Sequence, residues 1–402
     1  MLDDQLIQIT APATNTLIKV IGVGGGGGNA VANMYNDGMY DVSFLVCNTD
    51  KKALDDSPIP SRIQFGPGLG AGGKPEIGRQ LAEKEESLAA IYDAIDKETR
   101  MAFITAGMGG GTGTGAAPVV AREVRARGIL TVGIVTLPFL FEMRKQIDKA
   151  LDGLEELTKE VDSLIVINNE RMLSVYHNKS VVDAFQSADR TLTNAVRSVV
   201  DIIKMHGVIN LDFNDVSMVL REGGVCIIST GMARGDNRIT AAIHNALNSP
   251  LLNQNDIYTA RRMVMCISFP ETHDSLQMNE LAEVNEFIDG FKRKDLEYKW
   301  GLAKDDSLDG DVKVTIIASG FGLVQEDIEE DSEEGINRDE LRNRYYGKTF
   351  KPRSKPRTPV YIFKPEDLNN ELLIDQIEAI PTARRSREQL VKLKEFTQQP
   401  NA

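Results

Sequence analysis

The chain has 402 residues, a formal net charge of −13 and three cysteines. This length suffices for two packed domains and a tail. The acidic balance argues against nonspecific binding to nucleic acid, which needs a basic surface. The N-terminus lacks a basic region followed by an apolar one, and no apolar run approaches membrane-spanning length, so membrane contact is expected only through a partner. The scattered cysteines predict reduced core residues of a cytoplasmic protein.

Short apolar strands alternate with amphipathic helices over the first half of the chain. A polar N-terminal extension at 1–16 precedes a first domain predicted over 17–180. The alternation indicates an α/β fold with a mostly parallel sheet covered by helices on both faces. The predicted strands of this domain are 17–21, 42–47, 102–105, 130–135 and 164–167.

A first glycine run, at 22–28, follows the first strand. Gly22, Gly24 and Gly27 fit the G-x-G-x-x-G pattern of dinucleotide-binding folds, and Asp50 lies about twenty residues beyond. An NAD-dependent oxidoreductase is therefore one alternative. However, five consecutive glycines exceed what that pattern needs, and a dinucleotide fold has no use for a second glycine run.

The second glycine run, at 107–115, lies between an apolar strand and a helix with Pro118 near its predicted first turn. Glycines at such a junction let backbone amides approach an anion at the positive end of the helix dipole. Neither run ends in the lysine of a P-loop. Together the runs predict a nucleotide held mainly by main-chain amides.

The second half of the chain is less regular. Apolar residues recur at helical spacing over 181–205 and predict a long central helix. A second, smaller α/β domain is predicted over 206–322, with strands at 225–229, 262–267 and 312–318 and helices near 238–247 and 275–291. The charged, proline-bearing stretch 323–365 predicts a disordered linker, and a C-terminal partner-binding tail is predicted over 366–402.

Ordered motifs in this sequence resemble those of the tubulin/FtsZ family. The second glycine run resembles the tubulin signature, and the first resembles the first phosphate loop of bacterial FtsZ proteins. The resemblance covers about 17–322. It implies a Rossmann-like GTPase domain and head-to-tail polymerisation into filaments that form the cytokinetic Z ring in bacterial cell division. The supporting similarities lie, in the same order, at 48–50, 69–73, 138–142, 210–215 and 248–252.

The resemblance also implies a location and partners. It predicts a cytoplasmic protein that is recruited to the division site at midcell. The peptide from Ile380 to Arg385 resembles the family's terminal docking peptide, which implies division adaptors or membrane tethers such as FtsA as partners. Thr382 and Ala383 stand in place of bulkier apolar residues and put the strength of that docking in question.

The resemblance assigns site residues for GTP or GDP. Glu142 is expected at the ribose, Asn169 and Asp189 at guanine, and Phe185 against the base, although on pattern alone Phe185 and Asp189 read as ordinary helix residues. The loop before Lys74 is expected to close over the terminal phosphate. The residues predicted to bind GTP are Gly24, Gly25, Gly26, Gly27, Gly28, Asn29, Asn48, Ala71, Gly72, Gly73, Gly110, Gly111, Thr112, Gly113, Thr114, Glu142, Gln146, Asn169, Phe185 and Asp189.

Asn210, Asp212 and Asp215 are the predicted catalytic residues, because something must position water against the terminal phosphate. Helix capping by Asn210 and Asp212 explains the same pattern about equally well. They follow the central helix, so a single subunit is not expected to assemble the whole site, and the resemblance implies that the next subunit supplies them. No protein metal site is predicted, and Mg²⁺ is expected to be held mainly by phosphate oxygens and water.

Two residues depart from the family pattern in the segment 143–146. Gln146 stands where the family usually has arginine, and Met143 stands where it usually has glycine. Glutamine can hydrogen-bond a phosphate but supplies no charge, so weaker binding or turnover is expected. A structural relative that binds GTP without hydrolysing it is therefore a second alternative, which the retained Asp212 and Asp215 oppose.

Overall fold

The computed structural model describes residues 16–39, 41–175, 178, 180–205, 207–248, 257–271, 275–291, 295–321, 341–342, 345–347 and 371–379. The strands are β1 (Ile18–Val23), β2 (Ser43–Asn48), β3 (Arg62–Gln64), β4 (Met101–Gly107), β5 (Leu130–Leu137), β6 (Ser163–Asn168), β7 (Gly207–Ile209), β8 (Gly224–Ala233), β9 (Arg262–Phe269), β10 (Glu297–Lys304) and β11 (Val312–Ser319).

The helices are α1 (Gly24–Asn36), α2 (Lys51–Asp55), α3 (Pro75–Ala82), α4 (Glu85–Asp93), α5 (Thr112–Arg125), α6 (Arg144–Glu160), α7 (Glu170–Val175), α8 (Val181–Lys204), α9 (Phe213–Leu220), α10 (Arg238–Leu247), α11 (Ala282–Asp289) and α12 (Glu371–Ala379). Short 3-10 turns occupy Leu140–Glu142, Ile257–Thr259 and Asp306–Leu308.

The strands form one sheet in the order β3-β2-β1-β4-β5-β6-β8-β11-β9-β10-β7. From β3 to β6 all neighbouring strands are parallel. β1 and β6 are buried along their whole length and β4 is buried up to its last residue, as expected for parallel strands covered on both faces. The predicted α/β fold with a parallel first half is thus confirmed.

Parallel pairing brings the carboxyl ends of these strands to one edge of the sheet. Val23 at the end of β1 pairs with Cys47 of β2 and with Ala106 of β4. Likewise, Leu137 of β5 pairs with Asn168 of β6. Open α/β sheets bind ligands at this edge. The loops that follow β1, β2, β4, β5 and β6 therefore begin side by side.

The second half of the sheet is mixed rather than parallel. β8 continues the sheet through two parallel pairs with β6, while β11 runs antiparallel to both β8 and β9. The chain from Met1 to Gly347 forms a single compact unit, and 348–402 forms another. The two predicted domains thus share one continuous sheet.

The central helix α8 begins two elements after β6, on the chain that leaves the carboxyl edge. Ser180 caps it by accepting a hydrogen bond from the Asp183 amide. Its 24 residues span about 36 Å at about 1.5 Å per residue. The residues that follow α8 therefore start about one helix length from its first turn. No helix in the described ranges is long and apolar enough to cross a membrane.

Several predicted boundaries were wrong. The helices that follow the glycine runs begin inside those runs, at Gly24 and Thr112, rather than after them. The helix predicted near 275–291 is confined to Ala282–Asp289. Strands β3, β7 and β10 were missed, because β3 and β7 have only three residues and β10 is charged and partly exposed.

The linker predicted at 323–365 falls partly within the described residues. Within it the structure describes Leu341, Arg342 and 345–347, and these belong to the same compact unit as the preceding sheet. Arg342, Tyr345 and Tyr346 are buried. Two adjacent tyrosines supply apolar area that the overall composition of a charged stretch conceals. The rest of 323–365 lies outside the described residues, as does the predicted docking peptide from Ile380 to Arg385.

Candidate functional site

Both glycine runs form the first turns of helices at the carboxyl edge of the sheet. The first four amides of a helix have no partner within it, and the helix dipole adds positive potential there. α1 presents Gly24, Gly25 and Gly26 in this way, and α5 presents Thr112 and Gly113. Two helix N-termini thus meet at one edge, which is the arrangement that binds phosphate without a charged side chain.

Some glycines in these runs are packing positions. A Cβ at Gly24 would lie 2.7 Å from the Gly113 amide nitrogen, and one at Gly26 would lie 3.2 Å from the Cα of Gly107. A Cβ at Gly27 would overlap the carbonyl oxygen of Thr105. Glycine is needed here because α1, β4 and α5 approach one another backbone to backbone. The structure therefore brings the two runs into contact.

Other glycines face open space. A Cβ at Gly25, Gly28 or Gly110 would meet no described atom within 4 Å. Asn29 continues the exposed face of the same helix turn. These positions leave the amides of both runs accessible to a ligand.

The loop at 70–74 lies against the second run. A Cβ at Gly111 would lie 2.8 Å from the Ala71 Cβ and 3.2 Å from the Gly73 amide nitrogen. Lys149 holds this loop from α6 by donating to the Gly73 carbonyl over 2.5 Å. Gly72, Gly73 and Lys74 are exposed. The loop predicted to close over the terminal phosphate therefore lies beside the second glycine run.

The threonine hydroxyls of the second run already have protein partners. Thr114 accepts a hydrogen bond from the Gly109 amide at 2.8 Å and is buried. Thr112 shares a 2.6 Å hydrogen bond with Thr49, a buried residue that sequence reasoning missed. The sequence could have indicated Thr49, because it lies between Asn48 and Asp50 in the motif at the end of β2. Asn48 is buried and accepts from the Asp50 amide.

The loop after β5 and the end of β6 form the other side of the site. Glu142 accepts from the Phe139 amide at 2.9 Å, and Glu170 accepts from the Leu140 amide at 2.8 Å. Asn169 follows β6 directly and is half-buried. The backbone of Phe185 and Asp189 lies in α8, and their side chains lie outside the described part of the chain.

Gln146 and Met143 lie at the start of α6. The Cγ of Gln146 is 3.2 Å from the position of a Cβ on Gly109, so this side chain borders the second glycine run. Met143 has φ 75° and ψ 154°, a conformation that glycine adopts far more readily. Arg144 is paired with Asp148 at 3.8 Å within α6.

Asn210, Asp212 and Asp215 lie together at the start of α9. Asp212 is the N-cap and accepts from the Asn214 and Asp215 amides, while Asp215 accepts in return from the Asp212 amide. Asn210 accepts from the Gly207 amide at 2.6 Å. The structure thus contains the capping arrangement that competed with the catalytic interpretation. Capping uses only part of each carboxylate, and Asp212 stays exposed.

Asp215 has a further partner that the sequence did not reveal. Lys299, on β10, places its Nζ 3.2 Å from Asp215 Oδ1. All hydrogen bonds and ion pairs found for Asp212 and Asp215 within the described part lie on α9 or β10. None of these bonds reaches a glycine run.

Comparisons with known proteins identify the family. The family model for the Tubulin/FtsZ family GTPase domain matches 17–177, the FtsZ family C-terminal domain matches 224–322, and a further FtsZ C-terminal model matches 355–400. The chain is 44% identical to cell division protein FtsZ of Porphyromonas gingivalis over 96% of this chain and 89% of that one. It is 42% identical to FtsZ of Pseudomonas aeruginosa over 77% of this chain and 78% of that one.

A solved structure of the FtsZ dimer of M. jannaschii, described as empty, shares the fold. Its TM-score is 0.67 at 36% identity, covering 80% of this chain and 95% of that one. The dinucleotide oxidoreductase alternative finds no support in any of these similarities. The chain belongs to the tubulin/FtsZ family, as an FtsZ-type cell division GTPase that assembles into filaments.

Proposed function

We propose that this GTPase hydrolyses GTP only where two copies of the chain meet head to tail. One copy supplies the phosphate loops of α1 and α5, and the next supplies Asp212 and Asp215. The observation that carries this proposal is that Asp212 and Asp215 follow the end of α8, a helix about 36 Å long, and that none of their described bonds reaches a glycine run. A heterologous contact of this kind does not close on itself and extends into a filament.

Exposed apolar side chains at both ends of the predicted contact support the proposal. Leu69, Phe141 and Met143 stand beside the glycine loops, with Leu69 88% exposed. Val208 and Ile209 are exposed directly before Asn210. Apolar residues grouped on a surface mark protein contacts, and burying them between copies would bring the loop 210–215 onto the nucleotide.

Within this assembled site, the backbone amides of the two glycine runs bind the phosphates. Glu142 and Asn169 contact the ribose and the base, with Phe185 and Asp189 completing the guanine pocket. Asp212 and Asp215 orient water for attack on the terminal phosphate and accept its proton. Because the two carboxylates come from another copy, the nucleotide stays intact until that copy arrives.

A magnesium ion fits the donor set at this site. No group of three or more His, Cys, Asp or Glu in the described ranges is placed to hold a metal. The hydroxyl oxygens of Thr49 and Thr112 lie at the second glycine run. Mg²⁺ would therefore take most of its ligands from phosphate and water, where it neutralises charge on the transferred group.

In the cell, the filament forms a ring at midcell in the cytoplasm. The C-terminal region bearing Ile380 to Arg385 binds an adaptor or membrane tether such as FtsA. The match of an FtsZ C-terminal model to 355–400 supports a role for this region.

The dependence of phosphate release on protein concentration tests the proposal. Turnover per chain should be near zero in dilute protein and rise once filaments scatter light. Turnover per chain that is constant across the dilution series would contradict a shared site. GTP binding and scattering without phosphate release would instead favour the structural relative without turnover.

A further inference from the structure

A short segment far along the chain packs against the candidate nucleotide site. We call residues 341–347 the strap; the structure describes Leu341, Arg342 and 345–347 of it. The strap lies in the same compact unit as the first domain.

Arg342 attaches the strap to α6. Its Nε and Nη2 both donate to Asp148 Oδ1, at 2.9 and 2.6 Å, and its side chain is only 5% exposed. A buried guanidinium needs such a partner, because an unpaired buried charge is strongly destabilising. Asp148 also accepts an ion pair from Arg144, at the turn that begins beside Met143.

The two tyrosines attach the strap to the loop after β5 and to the end of β6. The Tyr346 hydroxyl donates to the Pro138 carbonyl at 2.8 Å, and Asn168 Nδ2 donates to the Tyr345 carbonyl at 2.5 Å. Both tyrosine side chains are buried. Burial and the nearby carboxylates of Glu142 and Glu170 raise the pKa of Tyr346, so its hydroxyl remains a donor well above neutral pH.

These contacts join a network that fixes the loop after β5. Asn168 accepts from the Glu170 amide at 2.8 Å, and Glu170 in turn accepts from the Leu140 amide. The strap therefore supports the 138–143 loop from two sides, through Pro138 and through Asn168. That loop carries Glu142, the predicted ribose ligand, while Asn169 follows Asn168 directly.

We infer that Tyr346 and Arg342 are positioning residues for nucleotide binding, which hold Glu142 in place through Pro138 and Asp148. The inference rests on the proposed function, because it takes the 138–143 loop as the ribose side of the site. The strap touches neither glycine run nor the 210–215 loop through any of these bonds. Loosening it should thus raise KM for GTP and speed nucleotide release without changing kcat.

The test compares Tyr346→Phe and Arg342→Gln with the parent as full chains. The first readout is dissociation of a fluorescent GDP analogue from protein too dilute to assemble. Loss of the Tyr346 hydrogen bond should speed release about 2- to 10-fold, the effect of one neutral hydrogen bond. The second readout is steady-state kinetics, in which KM for GTP should rise while kcat stays unchanged. The third is hydrogen exchange of the 138–143 loop without nucleotide, which should be faster in both variants.

Two matched controls come from the second domain. Tyr298→Phe removes a buried hydroxyl that has no hydrogen-bond partner among the described residues. Arg234→Gln removes an exposed arginine paired with Asp311. Both should release nucleotide at the parental rate.

The outcomes separate the strap from the proposed function. A parent that binds nucleotide, with strap variants that release it at the parental rate, would overturn this inference alone. So would faster exchange of the loop without faster release. A parent that binds no guanine nucleotide would overturn the proposed function and this inference with it.

Discussion

At the scale of single residues, the glycines at 24–28 serve either packing or ligand access, and an added methyl group should distinguish the two. Gly27 packs against the carbonyl of Thr105, whereas Gly25 faces open space. Both lie in the first turns of α1, where the amides are free to bind phosphate.

Gly25→Ala should stabilise the nucleotide-free protein by up to about 1 kcal/mol, because alanine is the better helix former. The same methyl group should weaken nucleotide binding about 10- to 100-fold by blocking one hydrogen bond to a charged phosphate. Gly27→Ala should destabilise by about 1–3 kcal/mol through overpacking. Urea unfolding and nucleotide titration measure the two effects. Equal losses of stability in both variants would refute this division of the glycines.

Asp212 combines a capping role with a proposed catalytic one, and two substitutions separate them. Asp212→Asn keeps a good N-cap but removes the charge, so stability should stay and phosphate release should fall to background. Asp212→Ala should lose the release and about 0.5–2 kcal/mol of stability. If Asp212→Asn kept parental turnover under assembly conditions, Asp212 would be a structural residue only.

Gln146 is the residue where this chain lacks a positive charge beside the second glycine run. Gln146→Arg should tighten GTP binding or raise turnover, since arginine bonds phosphate through two charged donors. Lys145→Arg is the control, because it places an arginine at the preceding exposed position without changing the net charge. If Gln146→Arg left nucleotide affinity and turnover unchanged, the missing charge at position 146 would not weaken phosphate binding or turnover.

At the scale of elements, the start of α6 is strained. Met143 caps this helix at φ 75° and ψ 154° and is 74% exposed, so it has little packing to compensate. This region of backbone conformation costs a side-chain-bearing residue about 1–3 kcal/mol.

Met143→Gly should therefore stabilise the protein by about 1 kcal/mol. This is the net effect of relieving the backbone strain, because glycine also loses more conformational entropy on folding. Met143→Ala keeps the Cβ and should gain nothing. Urea unfolding of the three proteins gives the comparison. A glycine variant that is no more stable than the alanine variant would show that the backbone is not strained at this position.

The elements also show how far sequence reasoning reaches. Strands β1, β4, β5 and β6 were predictable because strands buried on both faces are continuous apolar runs. The helix starts at Gly24 and Thr112 were not, since glycine and threonine are poor helix formers and the fold overrides that preference. Glu297 and Lys299 interrupt the apolar residues of β10, so it is not a continuous apolar run.

The residues of the candidate site also fall into a group that the sequence predicts and a group that it does not. Local motifs identified the glycine runs and the 210–215 loop, because their chemistry depends on adjacent residues. Contacts between distant residues left no local trace: Thr49 and Thr112 are 63 positions apart, and Asn168 and Tyr345 are 177 apart. Only the folded chain reveals the strap and the ion pair between Lys299 and Asp215.

At the scale of the whole molecule, the proposed function gives one chain two incomplete halves of an active site. The phosphate loops lie at the carboxyl edge of the sheet, and the carboxylates follow the far end of α8. Gly25→Ala impairs the first half, and Asp212→Asn impairs the second. Neither variant disturbs the other half, so each should remain a competent partner in a mixed filament.

Phosphate release from an equal mixture of Gly25→Ala and Asp212→Asn tests the shared site most directly. The GTP concentration is chosen so that it saturates Asp212→Asn but not Gly25→Ala. Each variant alone should release little phosphate. The mixture should recover up to about a quarter of the parental rate, because half of the phosphate loops bind GTP and half of those face an intact Asp212. Release equal to the sum of the two separate variants would contradict a site completed by the neighbouring chain.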